Sequence, residues 1–245
     1  MRRSDADHEV VRELLASGLA DRNVAAASGV SQNTVGRWRR SWPPIAIRWR
    51  PAHEPSYAYL LGLYLGDGCL SVIRGGVTLR VTLDLGYPGI IDDCRCAMVL
   101  SMPKHRPSIV ACSRGAAVQV QVCGKLWLHA FPPHGPGHKH ERRIELELWQ
   151  QEIVARHPGE FVRGLIHSDG CRTINRFKTA LPSGRVAEYA YARYFFSNLS
   201  ADIRGLFCAT CDQLGVRWTL SNPRNVSVAH RKSVAVLDEL GCAKD

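Results

Sequence analysis

Apolar residues recur at helical spacing near the start of the chain and predict three short helices. The first helix carries its valines and leucines on one face and ends at Gly18. Asp21 and Ser31 are suitable N-terminal caps for two further helices, the second of which ends near Trp42. Gly29 supplies a tight turn between them. A basic segment with prolines follows, and it predicts a domain boundary near this point.

Beyond this boundary, alternation of apolar and polar positions predicts strands that come in pairs, with helices between the pairs. The predicted strands are Leu70–Ile73, Val77–Leu85, Ser108–Ser113, Ala117–Cys123, Cys171–Phe177, Tyr189–Ser197, Val216–Leu220 and Val226–His230. The predicted helices between and after them are Ile90–Leu100, Asp202–Leu214 and a last helix from Ser233. This mixture of paired strands and helices is typical of an α+β protein.

The three N-terminal helices resemble the helix-turn-helix of DNA invertases and resolvases, with small alanines before Gly29 and valines after it. The resemblance implies that the third helix enters the major groove of DNA. Its first turn carries amides and a hydroxyl suited to base edges, and arginines farther along are suited to phosphates. These residues are Gln32, Asn33, Thr34, Arg37, Arg39 and Arg40. A small helical bundle with solvated arginines is the alternative.

One short motif occurs twice in the rest of the chain. Leu60–Gly68 reads LLGLYLGDG, and Val162–Gly170 reads VRGLIHSDG. The aspartates of the two copies lie 102 positions apart, and residues at equal offsets after them also correspond, such as Cys69 and Cys171. Two matched motifs at this separation predict an internal duplication, in which each motif begins one half of the larger domain.

These motifs resemble those of the LAGLIDADG homing endonucleases, and the resemblance covers roughly residues 52 to 245. It implies that each half is an αββαββα unit. The expected fold is therefore a duplicated LAGLIDADG α+β fold, preceded by a small all-α domain. The resemblance also implies hydrolysis of both strands of double-stranded DNA across the minor groove. The sequence departs from the motif at Leu65 and His167, which replace the other acidic residue of the motif. Two roles are open for His167: contact with a phosphate, or packing between the two motif helices.

Small residues in the two motif helices predict how the halves meet. Gly62 and Gly66 are four positions apart, as are Gly164 and Ser168, so each helix has one face that another backbone can approach closely. Packing on these faces brings the two C-terminal helix ends, and hence the two aspartates, side by side.

Two neighbouring carboxylates repel each other, and a bound cation relieves that repulsion. Oxygen ligands favour Mg²⁺, which activates water and neutralises the charge of a phosphate under attack. The expected Mg²⁺ ligands are Asp67, Asp169, Gly66 and Ser168, and the two aspartates are the expected catalytic residues. The alternative for a single Asp-Gly pair is an ordinary turn.

Basic residues occur in or beside the predicted strands, where side chains alternate between two faces. The resemblance implies that one face of each sheet binds DNA, and solvated surface charge is the alternative. The candidates are Arg74, Arg80, Arg172, Arg176, Lys178, Arg193 and Arg217. The resemblance also adds Lys125 and Lys232, each of which follows a last strand, as catalytic residues near the scissile phosphate.

The charge of the whole chain agrees with nucleic acid as its partner. The 245 residues carry a formal net charge of +10, with an isoelectric point of about 9.4. A hydrophobic fraction of 45% allows a proper core, and no apolar run approaches the ~20 residues of a membrane span. The charged N-terminus contains no export signal. We therefore expect a cytoplasmic protein whose cysteines are thiols.

Two groups of residues have some of the features of metal sites. Cys208 and Cys211 form one CxxC, but a zinc site needs four ligands and the chain has no second pair at comparable spacing. His134, His138 and His140 lie in a segment with glycine and proline, which predicts a solvated loop. We expect neither group to bind a metal.

The sequence therefore predicts a helix-turn-helix over residues 1–45, a linker over 46–56, and half-domains over 57–150 and 151–245. The expected function is that of a site-specific, Mg²⁺-dependent DNA endonuclease, monomeric and with an internal pseudo-twofold axis. The main alternative is a non-cleaving transcriptional regulator with the same fold, because a helix-turn-helix suits a transcription factor. A site-specific recombinase ranks last, because no catalytic domain precedes the helix-turn-helix.

Overall fold

In a computed structural model, the chain has the predicted α+β class and begins with three helices. The structure describes residues 4–43, 47–73, 76–112, 115–180, 182 and 184–244. The N-terminal helices are α1 (Asp5–Ala16), α2 (Asp21–Ser28) and α3 (Gln32–Ser41). Gly29 ends α2 in the left-handed conformation, and the Ser31 side chain caps α3, as the sequence predicts. The apolar faces of the three helices form a small core around Val11, Val24 and Trp38.

The remainder of the chain repeats one order of elements, which confirms the predicted duplicated αββαββα fold. The first copy consists of α4 (Glu54–Asp67), β1 (Gly68–Ile73), β2 (Gly76–Asp84), α5 (Pro88–Ser101), β3 (Ser108–Ala111), β4 (Ala117–Cys123) and α6 (Trp127–Ala130). A connecting helix, α7 (Leu148–Arg156), follows; the expected boundary between residues 150 and 151 falls inside it. The second copy consists of α8 (Pro158–Asp169), β5 (Gly170–Ala180), β6 (Val186–Ser197), α9 (Ala201–Gln213), β7 (Thr219–Asn222), β8 (Asn225–Val228) and α10 (Arg231–Glu239). Within the described part of the chain, every helix is too short or too polar to cross a lipid bilayer.

Each copy forms a four-stranded antiparallel sheet, with the strand orders β1-β2-β4-β3 and β5-β6-β8-β7. One face of each sheet is buried under the helices, as shown by Leu79 in the first sheet and Tyr194 in the second. We call this the helix face. Alternate side chains such as Thr82 and Gln121 lie on the opposite face, which we call the open face.

The two motif helices, α4 and α8, pack backbone against backbone at the centre of the larger unit. A Cβ atom added at Gly62 would lie 2.5 Å from the carbonyl oxygen of Phe161. One added at Gly164 would collide with the carbonyl oxygen of Tyr59. The small faces predicted from the sequence therefore set the spacing of this helix pair.

The predicted linker is partly built into the core of the larger unit. The Trp49 side chain is 6% exposed, and its ring packs against Tyr57 and Trp149 with centroids 5.4 Å and 5.8 Å away. The backbone N–H of Arg48 donates to the carbonyl oxygen of Ala16 at 2.7 Å, which ties this segment to the end of α1.

Candidate functional site

The two motif aspartates meet at the C-terminal ends of α4 and α8. A Cβ atom added at Gly66 would lie 2.9 Å from Oδ2 of Asp169, so the end of one motif helix touches the aspartate of the other. Burial, and then the charge of Asp169, raises the pKa of Asp67 to about 6. Burial also raises the pKa of Asp169. Solvent still reaches the exposed Asp67 side chain, although protein atoms surround much of its carboxylate.

Two lysines from outside the motifs reach the same helix ends. Nζ of Lys139 donates to the carbonyl oxygens of Tyr64 and Gly66 at 2.5 Å and 2.8 Å. Nζ of Lys244 donates to the carbonyl oxygen of Ser168 at 2.9 Å. Gly66 and Ser168 occupy matching motif positions, so each half supplies one lysine to the end of its own motif helix. These cations oppose the negative end of each helix dipole.

The charges of the two lysines and the two aspartates offset one another. Burial lowers the pKa of Lys139 to about 8, and the carboxylates of Asp169 and Asp67 act against that decrease. Burial likewise lowers the pKa of Lys244, and the same carboxylates act against it. The repulsion between the carboxylates, which the sequence led us to assign to a cation alone, is thus partly offset by ammonium groups of the protein.

Asn198 holds one of the two aspartates. Its Nδ2 donates to Oδ2 of Asp169 at 2.6 Å, and the backbone N–H of Ser200 donates to its Oδ1 at 2.7 Å, which fixes the orientation of the amide. Asp67 has no hydrogen bond to its carboxylate within the described residues, so the two aspartates are held differently. A cleft of about 430 Å³ opens here, and its lining includes Asp169, Lys139 and Asn198.

The oxygen atoms at this site fit a hard divalent cation. Two carboxylates converge, and the carbonyl oxygens of Gly66 and Ser168 lie at the same helix ends, each with a second lone pair. The described part of the chain contains no cluster of three or more histidine, cysteine, aspartate or glutamate side chains suited to a metal. A cation here would therefore take its remaining ligands from water or a phosphate, as Mg²⁺ commonly does.

Lys125 and Lys232, which were expected near the scissile phosphate, follow strands that lead away from the aspartates. The last strand of each sheet starts near the aspartate and runs toward the tip of the hairpin. Gly68, which follows Asp67, pairs with Val81 of β2, whereas Cys123 at the end of β4 pairs with Thr78. Val81 and Thr78 are three residues apart, which corresponds to about 10 Å along the strand. Lys125 and Lys232 follow these strands and are exposed. Lys139 and Lys244, which come later in each half, contact the helix ends that carry the aspartates.

His167, which replaces an acidic motif residue, packs between the motif helices and the C-terminal segment. Its Nδ1 lies 2.9 Å from the hydroxyl of Tyr59, and its Nε2 lies 2.9 Å from the carbonyl oxygen of Gly241. A carbonyl oxygen only accepts, so Nε2 carries the hydrogen and Nδ1 accepts from the tyrosine. Burial lowers the pKa of His167 to about 4, so the ring is neutral near pH 7.

The structure divides the candidate DNA-binding residues of the strands between the two faces. Arg80 and Arg193 lie on the open faces, and each donates to a neighbouring serine. Arg172 was expected to bind DNA, but it lies on the helix face with two hydrogen bonds to Asp238. The remaining candidates are Arg176 and Lys178 on the helix face of β5, the exposed Arg217 before β7, and Arg74, which lies outside the described residues. The set is divided in this way because only alternate side chains of a strand share a face.

The candidate residues of the helix-turn-helix lie along α3. The exposed ones are Gln32, Asn33, Arg37, Arg39 and Arg40. Two of the six also have partners within the small domain. The Thr34 hydroxyl lies 2.9 Å from that of Ser31 at the helix cap, and Arg39 pairs with Asp21 of α2 at 2.7 Å.

Sequence reasoning missed Lys139, Lys244 and Asn198. The sequence predicts a solvated loop for the segment that contains Lys139, but this side chain lies against the end of α4. One signal was available, because the two lysines follow their aspartates at similar distances of 72 and 75 positions. For Asn198, contact with Asp169 depends on where β6 ends, and the sequence carries no comparable signal.

These features together define the fold of the LAGLIDADG homing endonucleases. The structure is similar to that of I-DmoI in complex with DNA and Ca, with a TM-score of 0.50, 18% identity, and coverage of 76% of this chain and 89% of that one. Similar structures include mesophilic variants of the homing endonuclease I-DmoI (TM-score 0.49, 14% identity, 76% and 89% covered). The LAGLIDADG meganuclease I-AabMI bound to uncleaved DNA is another (TM-score 0.46, 12% identity, 75% and 83% covered). No protein-family model and no curated protein matches the sequence.

Proposed function

We propose that this protein is a site-specific endonuclease that hydrolyses phosphodiester bonds of double-stranded DNA with Mg²⁺. The observation that carries the proposal is the meeting of Asp67 and Asp169 at the ends of two closely packed helices, beside an open cleft. The fold shared with I-DmoI, whose structure is a complex with DNA, supports DNA as the substrate. The net charge of +10 supports a polyanionic partner.

The two aspartates and the carbonyl oxygens of Gly66 and Ser168 would hold the cation. When bound, Mg²⁺ supplies an activated water and neutralises charge on the phosphate under attack. Burial raises the pKa values of both carboxyl groups, and for Asp67 the charge of Asp169 adds to this effect. A bound divalent cation would favour the ionised form of both groups. Both halves of the site lie in one chain, so the proposed enzyme acts as a monomer.

We propose Lys139 and Lys244, in place of Lys125 and Lys232, as the lysines near the scissile phosphate. Their ammonium groups lie beside the oxygen atoms of the proposed cation site, where they stabilise the negative charge of a phosphate. The pKa of Lys139 is about 8, so its Nζ is suited to moving a proton near neutral pH. The open faces of the sheets and the exposed side of α3 supply the remaining contacts with the duplex.

A cleavage assay on a randomised duplex library in Mg²⁺, followed by sequencing of the ends, tests this proposal. The parent protein should cut at one recurring sequence. Asp67→Asn and Asp169→Asn should each lower cutting by several orders of magnitude, because a cation ligand is lost, while DNA binding persists. Asp92→Asn is the matched control, because Asp92 is exposed on α5 and pairs with Arg95 alone among the described residues.

Two results would refute parts of the proposal separately. Unchanged cutting by both motif variants would show that the aspartates are not catalytic. Binding to DNA that does not weaken as salt rises would show that the positive surface does not contact phosphates, because each neutralised phosphate releases counterions.

A non-cleaving transcriptional regulator is the second candidate, and one observation favours it. The carbonyl oxygens of Gly66 and Ser168 already accept hydrogen bonds from lysines, so the helix ends have positive partners without a metal. The helix-turn-helix is also consistent with this function. A parent protein that binds one duplex sequence tightly and leaves it intact in Mg²⁺ would establish the regulator in place of the enzyme.

A further inference from the structure

The hairpin formed by β5 and β6 reaches much farther from the aspartates than its counterpart. Both hairpins begin beside a motif aspartate, at Gly68 in the first half and at Gly170 in the second. β1 and β2 are joined over six residue pairs, whereas β5 and β6 are joined over eleven. The additional pairs correspond to about 16 Å of strand. The second half therefore carries an extension that the described part of the first half lacks.

This extension carries aromatic side chains on one face. Phe177 pairs across the strands with Tyr189, and Asn175 pairs with Tyr191, so these four side chains share a face. Their positions along β6 alternate with that of Tyr194, which is buried on the helix face. The four residues, which we call the aromatic face, therefore belong to the open face of the second sheet.

The aromatic face is ordered by its own contacts and is accessible to solvent. The rings of Phe177 and Tyr189 stack with centroids 5.2 Å apart, and Tyr191 packs edge-on against Phe177 at 5.8 Å. These three side chains are 43%, 46% and 39% exposed. Nδ2 of Asn175 donates to the Tyr191 hydroxyl at 2.8 Å, and its Oδ1 accepts no hydrogen bond within the described residues. An exposed apolar surface with an oriented acceptor is preorganised for binding.

The charge and shape of the hairpin favour duplex DNA as the partner. Arg176, Arg185 and Arg193 have no carboxylate partner within the described part of the chain, whereas Glu188 is already paired with Lys178 at 2.5 Å. A two-stranded ribbon fits the major groove. The apolar feature of that groove is the C5 methyl group of thymine, and the exocyclic amines of adenine and cytosine donate to an amide oxygen.

Building on the proposed DNA binding, we infer that the aromatic face reads thymine methyl groups in the major groove, in one arm of the bound sequence. The open face of the shorter hairpin carries the half-buried Ser71 and the buried Thr78, so its described part presents no exposed ring. The two arms of the target are therefore read differently. The arm bound by the second half requires thymine, whereas the other arm does not depend on the methyl group.

The full chain first selects a duplex from a randomised library in chelator. The probe is this duplex, resynthesised with deoxyuridine in place of thymidine in one arm at a time. Uracil pairs as thymine does and lacks only the methyl group. Deoxyuridine in the arm bound by the second half should weaken binding by the parent about fourfold for each methyl group contacted. Deoxyuridine in the other arm should change binding little.

Variants on the two faces of the hairpin identify the side chains responsible. Phe177→Ala and Tyr189→Ala should bind the thymidine and deoxyuridine duplexes equally. Ile174→Ala is the matched control, because Ile174 is 44% exposed on the opposite face of the same strand. The Ile174→Ala variant should bind the thymidine duplex more tightly than the deoxyuridine duplex, as the parent does. All three side chains are exposed, so the variants should melt at the temperature of the parent.

Several outcomes overturn the inference while DNA binding stands. They are equal binding of both duplexes by the parent, a selected arm without thymine, and discrimination that survives in Phe177→Ala. If sedimentation shows that the parent self-associates and Phe177→Ala does not, the aromatic face binds a second copy of the chain, and the inference is also overturned. If the full chain selects no duplex at all, both the inference and the proposed function fail.

Discussion

Four ionisable side chains of alternating sign meet where the two motif helices end. Burial acts against the charge of each of them, so it raises the carboxyl pKa values and lowers the ammonium pKa values. The four groups together are neutral when all are ionised. A site that neutralises itself can form during folding, before any cation binds.

The pKa of Asp67 gives a pH-dependent prediction for stability in chelator. The pKa is about 6 in the folded chain and 3.8 ordinarily, so the folded state binds the proton more tightly. The contribution of this group to stability is therefore largest below about pH 4 and is lost as the pH rises through 6. The Asp67→Asn variant has no carboxyl group at this position, so it does not lose this stability as the pH rises. Its melting temperature should match that of the parent near pH 4 and exceed it above pH 6.

The size of this effect is reduced because solvent reaches the Asp67 side chain. After allowance for screening we expect about 1 kcal/mol, or roughly 2–4 °C for a chain of this size. Thermal unfolding of both proteins across this pH range measures it. A difference in melting temperature that does not change with pH would contradict the raised pKa.

Lys139 and Lys125 form a pair of variants with opposite expected results. Lys139→Met removes the ammonium group that contacts the end of α4, so cleavage should fall about 10²-fold with little change in DNA binding. Lys125→Met should cleave as the parent does, because Lys125 follows a strand that leads away from the aspartates. Single-turnover cleavage rates on the selected duplex measure both. A loss of cleavage in Lys125→Met alone would restore the original assignment.

The close packing of α4 against α8 can be tested with a glycine variant. Gly164→Ala should lower the free energy of unfolding by about 1–3 kcal/mol or more, because the new methyl group collides with the backbone of Tyr59. Gly205→Ala in α9 is the matched control, since a Cβ atom there meets nothing within 4 Å. It should be neutral or stabilise the protein by about 0.5–1 kcal/mol. Chemical denaturation measures both, and equal effects would show that the helices do not pack closely.

Elements with a one-sided apolar pattern were predictable from the sequence, and others were not. β4 was predicted at its observed bounds because its valines alternate with polar residues. The outer part of β5 and β6 was missed because its residues are exposed on both faces and lack that alternation. The meeting of Asp67 and Asp169 followed from small residues at helical spacing. The position of Lys139 did not, because it depends on contacts with the distant end of α4, and its own segment has no periodic pattern.

At the scale of the whole molecule, the helix-turn-helix is attached to the first half at a defined place. A Cβ atom added at Gly18 would lie 2.5 Å from Cδ2 of Leu126, a residue that follows β4. The hydrogen bond from Arg48 to Ala16 and the buried Trp49 extend this contact along the linker. The boundary that we propose near residue 46 therefore separates two hydrophobic cores, and the two parts touch at Gly18 and Leu126.

Truncation and a point variant should separate the roles of these two parts. Removal of residues 1–45 should leave the larger unit folded, because it retains Trp49, but DNA affinity should fall. Trp49→Ala in the full chain should lower the free energy of unfolding by about 3–5 kcal/mol, because it removes a buried indole from the larger core. Denaturant unfolding and DNA titration measure both. Loss of the cooperative transition in the truncated protein would show that the larger unit depends on the small one.

The backbone contact between α4 and α8 also has an evolutionary consequence. The spacing of the two sheets is set where main chain meets main chain, at Gly62 and Gly164, and open-face side chains such as Arg80 or Phe177 take no part in it. Side chains on those faces can change without altering the distance between the two sheets. Each half can therefore acquire a new surface chemistry on its open face independently of the other half.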